Sequence, residues 1–207
     1  MKKSIINFTT ARVSGFSDGI IALVLSLMVL NIELPPLVEN PTSHEIHGHF
    51  IKLLPTIGVY FISFVSIGIF WVNHHNFFYL FKHINYVVLW LNLGLLFALT
   101  LVPLPTGFLA DYPLSPDATG VYAFNLFFCN TYFGLIVWYS YKKKLLQDNI
   151  DDKSIKTILR MVFVACLLWV LAIFIGFVHV GLSYTVMGII ALIFIKPKDV
   201  NYIQDKA

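Results

Sequence analysis

The chain has 207 residues, of which 58% are hydrophobic and 12% are charged, and its mean hydropathy is +0.79. A water-soluble domain of this size does not need so much apolar sequence. A net charge of +3, without a basic stripe between aromatic residues, argues against nucleic-acid binding. We therefore expect an all-α, polytopic membrane protein of the cell (plasma) membrane.

Six apolar segments follow one another along the chain. The first covers residues 9–34 and stops at Pro35-Pro36, and a polar loop then runs through His49. The third ends in Pro103-Leu104-Pro105. Since no polar stretch is long enough for a soluble domain, residues 1–207 are predicted to form a single domain of six transmembrane helices. The later segments cover residues 50–81, 84–104, 118–141, 157–177 and 180–195.

Basic and acidic residues alternate between the connecting segments. Glu33, Glu39, Glu45, Asp111 and Asp117 occupy one set of loops, with Lys52 the only lysine nearby. The positive-inside rule therefore predicts that both termini and the basic connections are cytoplasmic. The basic residues of those connections and termini are Lys2, Lys3, Arg12, Lys82, Lys142, Lys143, Lys144, Lys153, Lys156, Arg160, Lys196 and Lys198.

Polar residues interrupt the first three segments at a similar depth. With this topology, Asp18, His74 and Asn92 all fall in the cytoplasmic half of the membrane. Because charge is costly in a bilayer and buried polar groups there must find partners, we predict an interhelical network of Ser17, Asp18, Asn92 and one or both of His74 and His75. For each of these residues taken alone, a purely structural role between helices is the simpler interpretation. The alternative for His75 is a position at the membrane–water interface.

The first segment has a second, apolar face. At about 100° per residue, Ser26 lies beside a narrow stripe and Asp18 points roughly away from it. Because the whole segment is apolar, periodicity alone does not separate lipid-facing, packed and pore-facing leucines. The stripe consists of Phe16, Gly19, Leu23, Leu27 and Leu30.

Arg12, Phe16, Ser17 and Asp18 have the spacing R-x-x-x-F-S-D. This spacing resembles the signature of the bacterial relatives of transmembrane protein 175, the lysosomal potassium channel. Trp71-x-x-His74 in the second segment, and Asn92 followed by Pro103-x-Pro105 in the third, also look like that family. Segments four to six match it only in being hydrophobic.

The resemblance implies a potassium-selective leak channel, not an enzyme, in which four copies of the chain form a homotetramer and the first helix lines the pore. Leu23, Leu27 and Leu30 would form hydrophobic constriction layers, and Ser26 a hydroxyl layer beside the first of them. The Phe16-Ser17-Asp18 group would tie the pore helix to segments two and three. Potassium would be the permeant ion, no cofactor is expected, and the partners are other copies and the lipid bilayer.

Other functions are compatible with parts of the sequence. Gly15 to Gly19 matches G-x-S-x-G, a hydrolase motif, but that motif works after a strand and none is predicted here. A secondary transporter would show an inverted repeat with interrupted helices, which the sequence lacks. A proton-permeable pathway through Asp18 and His74 or His75 is the softer alternative.

The loop after the first segment contains His44-x-x-His47-x-His49. Histidines at short spacing can bind zinc, but a fourth ligand and a cysteine are not evident. These three residues are weak candidates for a metal site, and a solvated loop is the simpler interpretation.

Overall fold

A computed structural model of the chain describes residues 9–32, 42–198 and 200. The described part is all-α. One 3₁₀ turn, Val29–Asn31, extends the first helix. The α-helices are α1 (Thr10–Met28), α2 (Ser43–Phe78), α3 (Tyr86–Thr100), α4 (Pro103–Asp111), α5 (Pro116–Lys142), α6 (Asp152–Gly176) and α7 (Val180–Phe194).

Five spans in the described residues are long and apolar enough to cross a membrane, if α3 and α4 count as one span, Tyr86–Asp111. The other four are α1, α2, α5 and α6. The sixth predicted segment is α7, an apolar helix of 15 residues that is shorter than the usual spanning length. The predicted all-α membrane protein is confirmed.

The start of α2 differs from the sequence prediction. A capping box begins the helix at Ser43: the Thr42 hydroxyl accepts from the amide of Glu45, and the Glu45 carboxylate accepts from the amide of Thr42. The prediction placed the start at residue 50, because hydropathy registers only the apolar part of the helix. The last part of the expected polar loop is therefore helical.

The end of the third segment also differs. α3 ends at Thr100, but Pro103 then occupies the first turn of α4, which runs to Asp111. Proline is tolerated in a first turn because its missing N–H has no partner there in any helix. The predicted stop at Pro103-Leu104-Pro105 was wrong, since these prolines begin a helix.

The helices pack around α5. Its neighbours are α3, α4, α6 and α7, and α6 also packs against α7. Ala123, Cys129 and Ile136 of α5 are completely buried in this core. By contrast, α1 packs against α2 and α3 on one side only, so it lies at the edge of the bundle.

Two connecting loops bind each other at the predicted cytoplasmic end. The amide of Lys82 donates to the carbonyl of Leu145, and the amide of Gln147 donates to the carbonyl of Leu80, both over 2.9 Å. Lys82 also forms an ion pair with Asp148. These contacts hold the α2–α3 loop against the α5–α6 loop.

Some residues used in the sequence analysis lie outside the described residues. They are Lys2, Lys3, Glu33, Pro35, Pro36 and Glu39, together with the side chain of His49.

Candidate functional site

The buried face of α1 carries one polar residue among apolar ones. Ser17 is completely buried, with Val13 and Ile21 one turn to either side. Its hydroxyl donates to the carbonyl of Val13 over 2.9 Å. This bond leaves the Ser17 oxygen able to accept from a neighbouring helix.

A buried chain of hydrogen bonds runs from α1 through α3 to α2. The amide nitrogen of Asn92 donates to the Ser17 hydroxyl over 2.8 Å, and the amide oxygen of Asn92 lies 2.8 Å from Nε2 of His74. Since that oxygen can only accept, the hydrogen of the second bond is on Nε2 of His74. Ser17 and His74 are completely buried and Asn92 is 2% exposed. One side chain from each of three helices therefore meets here.

His74 has a second feature. Its ring stacks on Phe78, one turn along α2, with ring centroids 4.0 Å apart. Its Nδ1 atom is buried and has no hydrogen-bond partner within the described part of the chain. The Asn92 bond therefore fixes the position of this imidazole.

Asp18 belongs to a separate and more exposed set. The indole nitrogen of Trp71 donates to its carboxylate over 2.9 Å. Nδ1 of His75 lies 3.9 Å from the same carboxylate, which is beyond hydrogen-bonding distance, and the His75 side chain is 54% exposed. Ser17 and Asp18 are consecutive, so they point about 100° apart on the helix and meet different neighbours. The residues predicted to form one network therefore lie in two sets.

The predicted stripe forms the exposed face of α1. The exposed fractions are 54% for Phe16, 56% for Leu23, 44% for Leu27 and 74% for Leu30, although Leu30 lies in the 3₁₀ turn that follows the helix. Ser26 is also exposed, and its hydroxyl donates to the carbonyl of Ala22 over 2.9 Å. The remaining signature residue, Arg12, is exposed in the first turn of the helix.

The weak metal candidates lie at the start of α2. His44 and His47 are exposed on its first two turns, and the side chain of His49 is outside the described residues. Among the described residues, no three His, Cys, Asp or Glu side chains are grouped as a metal site would require. The histidine site stays a prediction.

Sequence reasoning missed a second buried polar cluster. The Ser63 hydroxyl of α2 donates to the Tyr122 hydroxyl of α5 over 3.1 Å, and the Thr106 hydroxyl of α4 lies 2.9 Å from that of Ser63. All three residues are buried. Part of the signal was present, because Ser63 and Tyr122 are polar residues inside predicted apolar segments, but Thr106 lies in α4, which the sequence did not predict.

A family model described as Endosomal/lysosomal potassium channel TMEM175 matches residues 12–103. A potassium channel of Chamaesiphon minutus is 30% identical over 192 residues, which are 89% of this chain and 93% of the relative. A potassium channel of Streptomyces collinus is 30% identical over 190 residues, 88% and 90% of the two chains. The matched range contains both sets of polar contacts and the exposed stripe.

The fold is similar to a crystal structure of a lysosomal potassium-selective channel TMEM175 homolog from Chamaesiphon minutus. The TM-score is 0.78 at 28% sequence identity, and the superposition covers 89% of this chain and 95% of that one. The likeness therefore extends well beyond the 12–103 region into the second half of the bundle.

Proposed function

This chain is a potassium channel of the TMEM175 family, and we propose that it conducts potassium as a homotetrameric leak channel whose pore is lined by α1. Its family is one of ion channels, and the hydrolase alternative is set aside on that ground. Conduction would take place down the potassium gradient in the cell membrane, without coupling to another ion.

The observation that carries the proposal is the exposed face of α1. Leu23, Leu27 and Leu30 are between 44% and 74% exposed, although α1 packs closely against α2 and α3 on its other side. One helix at the edge of a bundle cannot enclose a pore, so several copies must face one another around an axis. Four leucine faces in such a ring would make a narrow apolar path.

Leucine rings would form the barrier to conduction. A hydrophobic constriction controls conduction by losing its water, and its width depends on the side chains that point to the axis. Leu23 and Leu30 are seven residues apart, so the narrow path would be about 10 Å long at the α-helical rise. We propose that these rings set the size of the leak.

Ser26 is suited to a hydroxyl layer beside Leu23. Its hydrogen is directed to the carbonyl of Ala22, and the residue is exposed on the leucine side of α1. The oxygen lone pairs are then available to a cation that has lost part of its water. Four such oxygens in a ring would favour a weakly hydrated ion such as potassium.

The two sets of polar contacts would fix the rotation of the pore helix. Asn92 of α3 holds Ser17, and Trp71 of α2 holds Asp18. Because these contacts lie on the faces of α1 that its own subunit covers, they would keep the leucines turned away from it. We propose a role in assembly or gating rather than contact with ions.

Ion flux into proteoliposomes tests this function. Purified chain is reconstituted, a potassium gradient is the only driving force, and sodium is compared under the same gradient. We expect potassium flux well above sodium flux with no second ion present. Flux that saturates and requires a coupled ion would contradict the channel in favour of a transporter, and acidification of a trapped pH dye would indicate the proton pathway.

Cysteine accessibility tests the pore helix separately. In a variant without Cys129 and Cys166, Leu23→Cys should react with a charged thiol reagent and block flux. Leu192→Cys is the matched control, because Leu192 of α7 is 71% exposed but lies on a helix that the proposal leaves outside the pore. Equal block of both variants, or of neither, would contradict α1 as the pore helix.

A further inference from the structure

A large apolar crevice separates α2 from α7. Its volume is about 580 Å³, its floor is formed by α5, and apolar side chains make up most of its walls. At one end, the amide of Asn73 donates to the carbonyl of Phe194 over 2.9 Å and joins the two helices. Away from this bond the crevice lies between the two helices.

The dimensions of the crevice match those of a lipid chain. Along α2 it extends from Pro55 to Asn73, which is about 27 Å at the α-helical rise, against about 30 Å for the hydrocarbon core of a bilayer. It is open on one side and lies between membrane-spanning helices. The medium that reaches it is therefore the acyl region of the membrane.

An aromatic side chain also lines its wall. Trp169 of α6 is 5% exposed and lies one turn before Ala172, whose carbonyl accepts from Ser183 of α7. Counted along α7 from Ser183 to Phe194, which contacts Asn73, this places Trp169 about 12 Å from the level of Asn73. At this depth Trp169 would meet the acyl chain of a phospholipid.

A positive charge stands beyond the open end. Lys52 is exposed and precedes Pro55, Val59 and Ile62 by three, seven and ten residues, so it shares the face of α2 that forms the crevice wall. A lysine one turn beyond an apolar groove is placed to meet a phosphate at the membrane surface.

We propose that the α2–α7 crevice binds a phospholipid, with the phosphate beside Lys52 and an acyl chain along the groove that passes against Trp169. The site is independent of the pore proposal, because it lies on the side of α2 that faces α7 rather than α1. The bound lipid would fill the gap between two helices that are joined directly at Asn73.

Two glycines allow the groove to be filled without disturbing the protein. Gly58 of α2 and Gly188 of α7 both line the crevice, and a Cβ at either position meets nothing within 4 Å. Gly58→Leu and Gly188→Leu should therefore occupy the space of the lipid from opposite walls. Gly68→Leu is the matched control, since Gly68 is equally open on α2 but does not line the crevice.

The first measurement counts phospholipid retained by the purified full-length chain after extensive detergent washing. We expect retained phospholipid in the wild type and in Gly68→Leu, its loss in Gly58→Leu and Gly188→Leu, and weaker retention in Lys52→Ala. Equal retention in the crevice and control variants would overturn the proposal. The proposal would also be wrong if Gly58→Leu and Gly188→Leu lose the oligomer but keep their lipid, because a second copy of the chain would then occupy the groove.

The second measurement uses the wild-type fold. Phospholipids with brominated acyl chains should quench a part of the tryptophan fluorescence that is absent in Trp169→Phe, and Gly188→Leu should remove the same part. If Trp169→Phe leaves the quenched fraction unchanged, no acyl chain lies against Trp169 and the site is wrong.

Discussion

The side-chain amide of Asn92 donates a 2.8 Å hydrogen bond to the hydroxyl of Ser17, across 75 positions of the chain. It links α3 to α1, and the oxygen of the same amide links α3 to His74 of α2. One amide thus satisfies a donor and an acceptor from two different helices in a completely buried place. Its loss would leave buried polar groups of both α1 and α2 without partners.

Asn92→Leu should destabilise the channel. It removes both bonds and leaves the Ser17 oxygen and the Nε2 hydrogen of His74 unpaired, so we expect a loss of about 1–3 kcal/mol in the free energy of unfolding. The measurement is the thermal transition of the detergent-solubilised protein. Asn76→Leu is the control, because Asn76 is exposed and its side chain, among the described residues, bonds to the carbonyl of Val72 in its own helix. Equal shifts in both variants would contradict a special role for Asn92.

Asp18→Ala should reduce the yield of assembled channel. It leaves the indole N–H of Trp71 without its acceptor and frees one side of α1. Asp18→Asn keeps an acceptor oxygen, so we expect it to restore most of the assembly, whereas Trp71→Phe should resemble Asp18→Ala. The measurement is the oligomer profile by size exclusion. A normal, fully conducting oligomer of Asp18→Ala would make the anchoring role wrong.

Lys144→Gly should stabilise the end of α5. The φ angle of Lys144 is +53°, and the next amide, of Leu145, returns to the carbonyl of Ser140, as in a helix stop that glycine prefers. Removing the side chain relieves the left-handed strain, and we expect a gain of about 0.5–1 kcal/mol. Lys143→Gly is the matched control, because Lys143 has a φ of −93° and loses the same charge without that relief. A lower transition temperature in Lys144→Gly would contradict the argument.

The sequence predicted the depth of polar residues in the membrane but not where the helices begin and end. Hydropathy and charge located the apolar segments, and the depth of Ser17, His74 and Asn92 grouped residues that the structure joins by hydrogen bonds. The start of α2 and the existence of α4 were missed, because a capping box and a first-turn proline act locally and leave hydropathy unchanged. Ser17 and Asp18 contact different helices because they point in different directions from α1. Predicting this would have required knowing where α2 and α3 pack around α1.

The crevice shows a different limit. Gly58 and Gly188 are ordinary small residues in apolar segments, and nothing in the sequence indicates that they line the same gap. A gap between two helices depends on their crossing, and here the contact of Asn73 with Phe194 fixes only one end. Packing geometry of this kind cannot be obtained from periodicity in a segment that is apolar all round.

Ser26→Ala should weaken the preference for potassium over sodium. It removes the hydroxyl oxygen that would face the ion and leaves the fold of α1 intact, since within the described residues that hydroxyl bonds to the carbonyl of Ala22 in its own helix. Ser26→Thr keeps the oxygen and should retain most of the selectivity. The measurement is the reversal potential under mixed potassium and sodium gradients. An unchanged value in Ser26→Ala would remove Ser26 from the ion pathway.

Leu23→Ala should increase the leak. If Leu23 faces the axis, shortening four side chains at one level widens the constriction and lowers the energy needed to keep water in it. A barrier lower by about 1.4 kcal/mol would raise the flux about tenfold. Leu192→Ala makes the same change at an exposed leucine of α7 and should leave the flux unaltered. Both variants are measured by potassium flux in proteoliposomes at equal protein content.

Because Leu23 is exposed in the single chain, its truncation costs that chain little packing, so a change in flux would report on the pore rather than on folding. Unchanged flux in Leu23→Ala would take Leu23 out of the pore and turn the exposed face of α1 toward lipid.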